Sequence, residues 1–116
     1  MAIEAYGKKI QQLPRAFCAS LAVIDFLHTG PVELALVGTP GEPDFEAFRK
    51  EIGRRFVPNR VLAFDGGPTA DDAELPRLPL LDGKEPVDGK AALFVCKDYA
   101  CQAPITNPNQ VASALV

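Results

Sequence analysis

A chain of 116 residues with 47% hydrophobic and 23% charged content suits one domain built around one core. Its formal net charge of −3 supplies no general basic field, which sets nucleic acid aside as a partner. The longest apolar run, Phe17–Leu27, contains Ser20 and Asp25 and falls short of the ~20 residues of a membrane span. The opening MAIEAYGKKI lacks the basic-then-apolar layout of a signal peptide, so no membrane partner is expected. Three cysteines are an odd and sparse set, unlike a secreted disulfide scaffold, and fit a reducing, cytoplasmic setting.

Ile3, Tyr6, Ile10 and Leu13 recur at helical spacing, which predicts a helix over Ile3–Leu13. Pro14 interrupts it with a kink or a fresh start. A second helix follows from Arg15, carrying Phe17, Leu21, Ile24 and Leu27/His28 on one side, and Gly30–Pro31 ends it. Alanines, Cys18 and Phe26 make it apolar over more than one face, so it calls for neighbours on both sides. This short chain has few elements to provide them.

Val32–Val37 (VELALV) reads as a strand covered on both faces. Gly38–Glu42 is a turn, and Pro43 suits the first position of a helix. Phe45, Phe48, Ile52 and Phe56 then step by three and four residues and predict an aromatic stripe against the sheet. Gly53 within this helix costs roughly 1 kcal/mol relative to alanine, and close packing is one reason it could be there. Val57–Pro58 stops the helix and Arg60–Asp65 (RVLAFD) is the second strand. Strand, helix and strand with short connections form a βαβ unit, with parallel strands and a right-handed crossover.

Gly66–Lys90 contains Pro68, Pro76, Pro79 and Pro86 and has no sustained period. It is a long loop, and Leu75, Leu78, Leu80 and Leu81 suit a strap pinned to the body by apolar contacts. Asp88–Gly89 is a turn signal leading into the strand Ala91–Lys97. Asn107 caps a short last helix with Pro108 at its first position, running to about Leu115.

The most distinctive chemistry is Cys96 and Cys101 in AALFVCKDYACQAPITNP. A thiol–disulfide catalyst needs a second sulfur within reach and an electropositive setting, which a C-x-x-C at a helix start provides. Here the spacer is KDYA and the first cysteine lies in a strand. An extended chain would hold the two α-carbons ~16 Å apart. A disulfide needs them within ~7 Å, hence a tight turn over Lys97–Ala100. Two unreactive small side chains, at least one of them buried, and a redox pair are both open on these residues.

Other candidates are weaker. Cys18, Cys96, Cys101 and His28 have the composition of a zinc set, but Cys18 and His28 would lie ~15 Å apart along one helix. Ligands of one zinc converge to ~2.0–2.3 Å, so no metal is expected, and His28 reads as a capping or packing residue. The loop Gly38, Thr39, Pro40, Gly41 could cradle a phosphate or another small ligand at the helix start. Pro40 and Pro43 offer no amide there, and Asp44 and Glu46 already place negative charge on that helix end. Arg49, Lys50, Arg54, Arg55 and Arg60 read as a solvated face. Asp25 and His28, three residues apart, suggest a local hydrogen bond rather than a catalytic pair. No cofactor is called for.

The stretches VDGKAALFVCKDYACQAPITNP, VELALVGTPGEPDFEAF, RRFVPNRVLAF and LPRAFCASLAVIDF together resemble one family. They are similar to the C-terminal end of the large thioredoxin-domain-containing proteins, the family that includes spermatogenesis-associated protein 20 and its bacterial relatives. The resemblance covers most of the chain. It implies a fragment or short open reading frame related to longer proteins. Those carry an N-terminal thioredoxin-like domain and a central helical barrel similar to N-acylglucosamine 2-epimerases, neither of which is present here. No catalytic residue carries over, and Cys96 and Cys101 match a terminal segment without an assigned role.

The expected fold is α/β: a small three-stranded, mostly parallel sheet with flanking helices, preceded by a long or kinked helix. A doubly wound, Rossmann-like form leads and a degenerate thioredoxin-like form is second. Residues 1–30 are expected as a helical lead-in, the end of the barrel in the parent family, and 31–116 as the α/β domain. The function expected is that of a non-catalytic accessory module. Its partner would be the helical barrel of a larger protein, or a second copy, engaged through residues 3–29. The alternatives are a thiol redox role through Cys96 and Cys101, or nucleotide or sugar binding at the strand C-terminal ends near Gly38, Thr39 and Gly41.

Overall fold

The structure is a computed structural model that describes residues 2–66 and 78–115. The chain divides into two compact units, one ending at Pro31 and the other starting at Val32. Pro68, Leu75 and Pro76 of the expected strap lie outside the described residues.

The first unit is helical. Helices α1 (Ala2–Ala5) and α2 (Gly7–Gln12) lead through a 3-10 turn at Pro14–Phe17 into α3 (Cys18–Thr29). Leu13, before the proline, takes φ −134° and ψ 64°, because the proline ring denies its predecessor a helical backbone. The expected break is therefore at Pro14. Gly30, at φ 77°, ends α3 and donates its N–H to the Phe26 carbonyl. Ile10 is the buried residue of α2, and the Tyr6 and Phe17 rings lie 6.4 Å apart. Helix α3 has no buried residue at all: Leu21, Val23 and Leu27 are 38%, 46% and 55% exposed.

The second unit is a sheet with helices on one face. Strands β1 (Val32–Val37) and β2 (Arg60–Asp65) run parallel, with Val32 opposite Arg60 and Val37 opposite Asp65. Helix α4 (Pro43–Gly53) connects them, as the βαβ reading requires. Strand β3 (Ala92–Lys97) lies antiparallel on the other side of β1, and β4 (Ala100–Cys101) pairs antiparallel with β3. The strand order is β2-β1-β3-β4.

The expected three-stranded, mostly parallel sheet is thus corrected to a four-stranded mixed one with a single parallel pairing. A parallel return needs a crossover, usually a helix. Here Ala92 starts β3 opposite Val37, beside Asp65 at the end of β2, so the chain re-enters the sheet from the end at which it left; the described residues of the connection form a 3-10 turn at Pro79–Leu81. The short β4 was not anticipated, because two residues, Ala100 and Cys101, carry no periodic signal.

Alternation along the strands separates two faces. Leu34, Leu36, Leu93 and Val95 face Phe45, Phe48 and Ile52 of α4 and Val111 of the C-terminal helix α5 (Val111–Ala114). Asn107 starts that last segment as expected, its Oδ1 accepting from Asn109 N–H. On the opposite face Ala35, Ala63 and Phe94 meet Leu80 and Leu81. Lys84 fastens this end of the strap by donating to the Leu80 carbonyl at 2.6 Å and lying 6.0 Å over the Phe94 ring.

The aromatic stripe is shorter than its spacing suggested. Helix α4 ends at Gly53, and Phe56 lies beyond it, 91% exposed. The three-and-four step has no meaning once the helical backbone stops. A Cβ on Gly53 would meet nothing within 4 Å, so close packing is not the reason for that glycine.

Candidate functional site

The two cysteines are brought together by a hairpin. Cys96 and Cys101 are directly opposed in the β3–β4 register, with α-carbons 3.9 Å apart, and they form a disulfide. The tight turn that the four-residue spacer demands is supplied by Asp98 and Tyr99, at φ 51° and 65°. Both values are left-handed, the conformation of a two-residue hairpin whose twist matches its strands. Asn-Gly or Asp-Gly would announce such a turn, and Asp-Tyr does not, so the hairpin was not legible.

Beyond β4 the chain keeps to the edge of β3. Gln102 donates to the Val95 carbonyl, and Ile105 exchanges both backbone bonds with Leu93. One residue of β3, Phe94, lies between these contacts where two, Ala103 and Pro104, lie between them on the outer segment. That extra residue is a bulge, and it accommodates Pro104, which has no N–H to give.

The two cysteines have different surroundings. Cys96 alternates with Val95 and so lies on the strap face of the sheet, 2% exposed, opposite Glu33 of β1. Cys101 is exposed on the edge strand. Cys18, the free cysteine, starts α3, and its thiol donates to the Arg15 carbonyl. Among the described residues no cluster of His, Cys, Asp and Glu could hold a metal ion, and no helix is long and apolar enough to cross a membrane.

The loop of Gly38, Thr39 and Gly41 lies at the C-terminal end of β1, and three amides over Gly38–Glu42 have internal partners. Gly38 N–H donates to the Asp65 carbonyl, Gly41 N–H to Glu46 Oε1, and Glu42 N–H to the Thr39 carbonyl. A Cβ on Gly38 would fall 2.8 Å from Ala91 Cβ, and one on Gly66 2.6 Å from Pro40 Cγ. The strand ends beside Gly38 and Gly66 are therefore closely covered by Ala91 and Pro40. Gly41, at φ 89°, needs the conformational freedom of glycine.

Asp44 joins this loop to the cysteine strand. Its Oδ1 accepts from Phe45 N–H at 2.8 Å and its Oδ2 from Ala91 N–H at 2.7 Å, across 47 residues of sequence. The Ala91 N–H is the main cause that holds the Asp44 carboxyl below its ordinary 3.8, working against partial burial and aided by Phe45 N–H. A carboxyl with a lowered folded-state value stabilises the fold above its unfolded value, and the contribution is lost as pH falls through the folded value. Asp44→Asn is expected to cost about 1–2 kcal/mol at neutral pH. The gap from the parent should close as pH drops below 3.8, in urea melts run across pH. Sequence reasoning noticed Asp44 only as a charge at a helix start, since no local pattern points to Ala91.

Four of the five basic residues have partners on α4. Arg49 pairs with Glu46 at 3.3 Å, Arg54 and Arg55 with Glu51 at 2.9 and 3.6 Å, and Arg60 donates to the Ile52 carbonyl. Asp25 accepts from Thr29 Oγ1 one turn on, and His28 is exposed in the last turn of α3.

Over 114 residues the chain is 24% identical to spermatogenesis-associated protein 20 of Mus musculus, matching 97% of this chain and 14% of the relative. The proteins of that name from Rattus norvegicus and Homo sapiens are each 23% identical over the same length and shares. The chain is homologous to their C-terminal region. It spans 14% of the length of these three curated relatives. No family model and no solved structure matches it.

Proposed function

We propose that the chain acts as a non-catalytic accessory domain of a larger thioredoxin-domain-containing protein with bacterial as well as animal members. In this reading residues 3–29 dock on the helical barrel of that protein. The observation that carries it is α3, a 12-residue apolar helix with no buried residue. The similarity of nearly the whole chain to a small part of a longer relative supports a partner of that kind. An open apolar cleft of about 270 Å³ lined by Ile3, Tyr6, Ile10, Phe17 and Ser20 adds to the surface available within the helical unit.

The mixed sheet supports the degenerate thioredoxin-like form over the doubly wound one. A βαβ unit is followed by a β-hairpin and a terminal helix, and α4 and α5 share one face of the sheet. A doubly wound fold would need parallel strands with helices on both faces. Redox catalysis in a thioredoxin-like setting uses a C-x-x-C at a helix start, and α4 begins instead with Pro43-Asp44-Phe45. The cytoplasm, expected from the sparse cysteines, is the setting that belongs with this function.

Without its partner the chain is expected to self-associate through α3. Burying the exposed parts of Leu21, Val23 and Leu27 is worth about 1 kcal/mol each. Sedimentation velocity at high micromolar concentration should show reversible dimers, which the L21E/L27E variant should not form. A monomer that binds no apolar dye would overturn this reading.

A further inference from the structure

Among the described residues of the second unit two turns have the same hand, and their central pairs differ in one residue. Val87 and Lys90 exchange both backbone bonds around Asp88 and Gly89, at φ 51° and 72°. The β3–β4 turn repeats this shape with Asp98 and Tyr99. Glycine adopts a left-handed backbone freely, whereas a tyrosine there crowds its own carbonyl. Tyr99 is fully exposed, so packing of its ring does not offset that crowding. The strand ladder and the covalent link from Cys96 to Cys101 are what hold it.

We propose that Cys96–Cys101 is a thiol-exchange site that takes a dithiol reductant at Cys101 and, on opening, releases the Asp98–Tyr99 turn from its left-handed conformation. Access decides which sulfur reacts. Cys101 is exposed on the edge strand, while Cys96 is enclosed on the strap face. One thiolate of the dithiol attacks Cys101 Sγ. The S–S bond breaks, its electron pair goes to Cys96 Sγ, and that sulfur takes up a proton. The second thiol of the reductant loses its proton and attacks its own sulfur in the mixed disulfide, expelling Cys101 as a thiolate that is then protonated. The protein disulfide gains two electrons and two protons, and the dithiol becomes a disulfide.

A dithiol fits better than a monothiol because of the register. After the first step Cys96 still faces Cys101, held there by the bond from Gln102 to Val95. A lone thiol adduct at Cys101 is therefore returned by Cys96, whereas a dithiol completes its own ring first.

The test uses the oxidised full chain carrying Cys18→Ser, with dithiothreitol as the probe and no denaturant. After opening, iodoacetamide is expected to modify the exposed Cys101 at least about tenfold faster than the buried Cys96. Equal modification, or a disulfide that opens only in denaturant, would overturn the site. Chymotrypsin is expected to cut after Tyr99 about tenfold faster in the opened protein, since cleavage follows local opening. Cys101→Ser, a change at an exposed position, should cut as fast with no reductant present. Resistance of either form would overturn the release of the turn. Finally, Tyr99→Gly removes the crowding, so about threefold more dithiothreitol should be needed to open half of the disulfide. An unchanged midpoint would show that the turn and the disulfide are not linked.

Discussion

Phe48→Ala is expected to lower the unfolding free energy by about 3–5 kcal/mol, the usual loss for a large aromatic side chain emptied from a core. Phe48 is fully buried between α4 and the sheet, in one cluster with Leu34, Leu36, Leu93, Val95 and Val111. Its removal takes contacts from α4, from two strands and from the terminal helix together. Those elements surround it on several sides, so little of the space can collapse. Small domains have only about 5–15 kcal/mol of stability, so the variant should melt at much lower urea with an unchanged slope. Phe56→Ala provides the contrast. Phe56 has the same spacing in sequence but is 91% exposed beyond the end of α4, so its loss should stay within about 0.5 kcal/mol. Equal effects at the two positions would mean that the helix continues through Phe56.

Gly38→Ala is expected to cost about 1–3 kcal/mol, the range for overfilling a packed site. The new Cβ would sit 2.8 Å from Ala91 Cβ and 3.1 Å from both Ala91 Cα and Phe45 Cδ2. The Ala91 backbone cannot yield easily, because its N–H is held by Asp44 and β3 begins at the next residue. The strain would pass into the same junction that places the cysteine strand beside β1. Gly53→Ala, with nothing near its Cβ, should be neutral or slightly stabilising in the same thermal and urea melts. If Gly38→Ala left stability untouched while altering the binding of a small molecule, the glycine would instead belong to a ligand loop.

The helical lead-in, the βαβ unit, the Asp88–Gly89 turn and the Asn107 start were legible because each rests on local chemistry. Pro14 denies Leu13 a helical backbone, Gly30 takes a left-handed cap, and Pro43 presets the first turn of α4. Phe45, Phe48 and Ile52 declare a buried face through their spacing alone. The three-stranded, mostly parallel expectation went wrong at a different level. Strand direction after a long loop depends on which sheet edge is open and on whether a crossover helix exists, and neither is written in the six residues of β3. The candidate site divides in the same way. That Cys96 and Cys101 would need a tight turn to meet followed from the reach of an extended chain. That the turn is Asp-Tyr, that Cys96 is buried and Cys101 exposed, and that Asp44 clamps Ala91 did not.

By itself, then, the sequence determined the order of the helical lead-in, the β1–α4–β2 unit and β3, which side of α4 is buried, and that α3 is apolar over more than one face. These follow from backbone freedom and side-chain periodicity over a few residues. Only the tertiary structure decided the insertion of β3 against β1, the pairing of β4 with its disulfide, and the contact of Asp44 with a strand 47 residues away. Each of those joins groups that no local spacing relates, and each depends on which of several sheet edges gives the returning chain its hydrogen bonds.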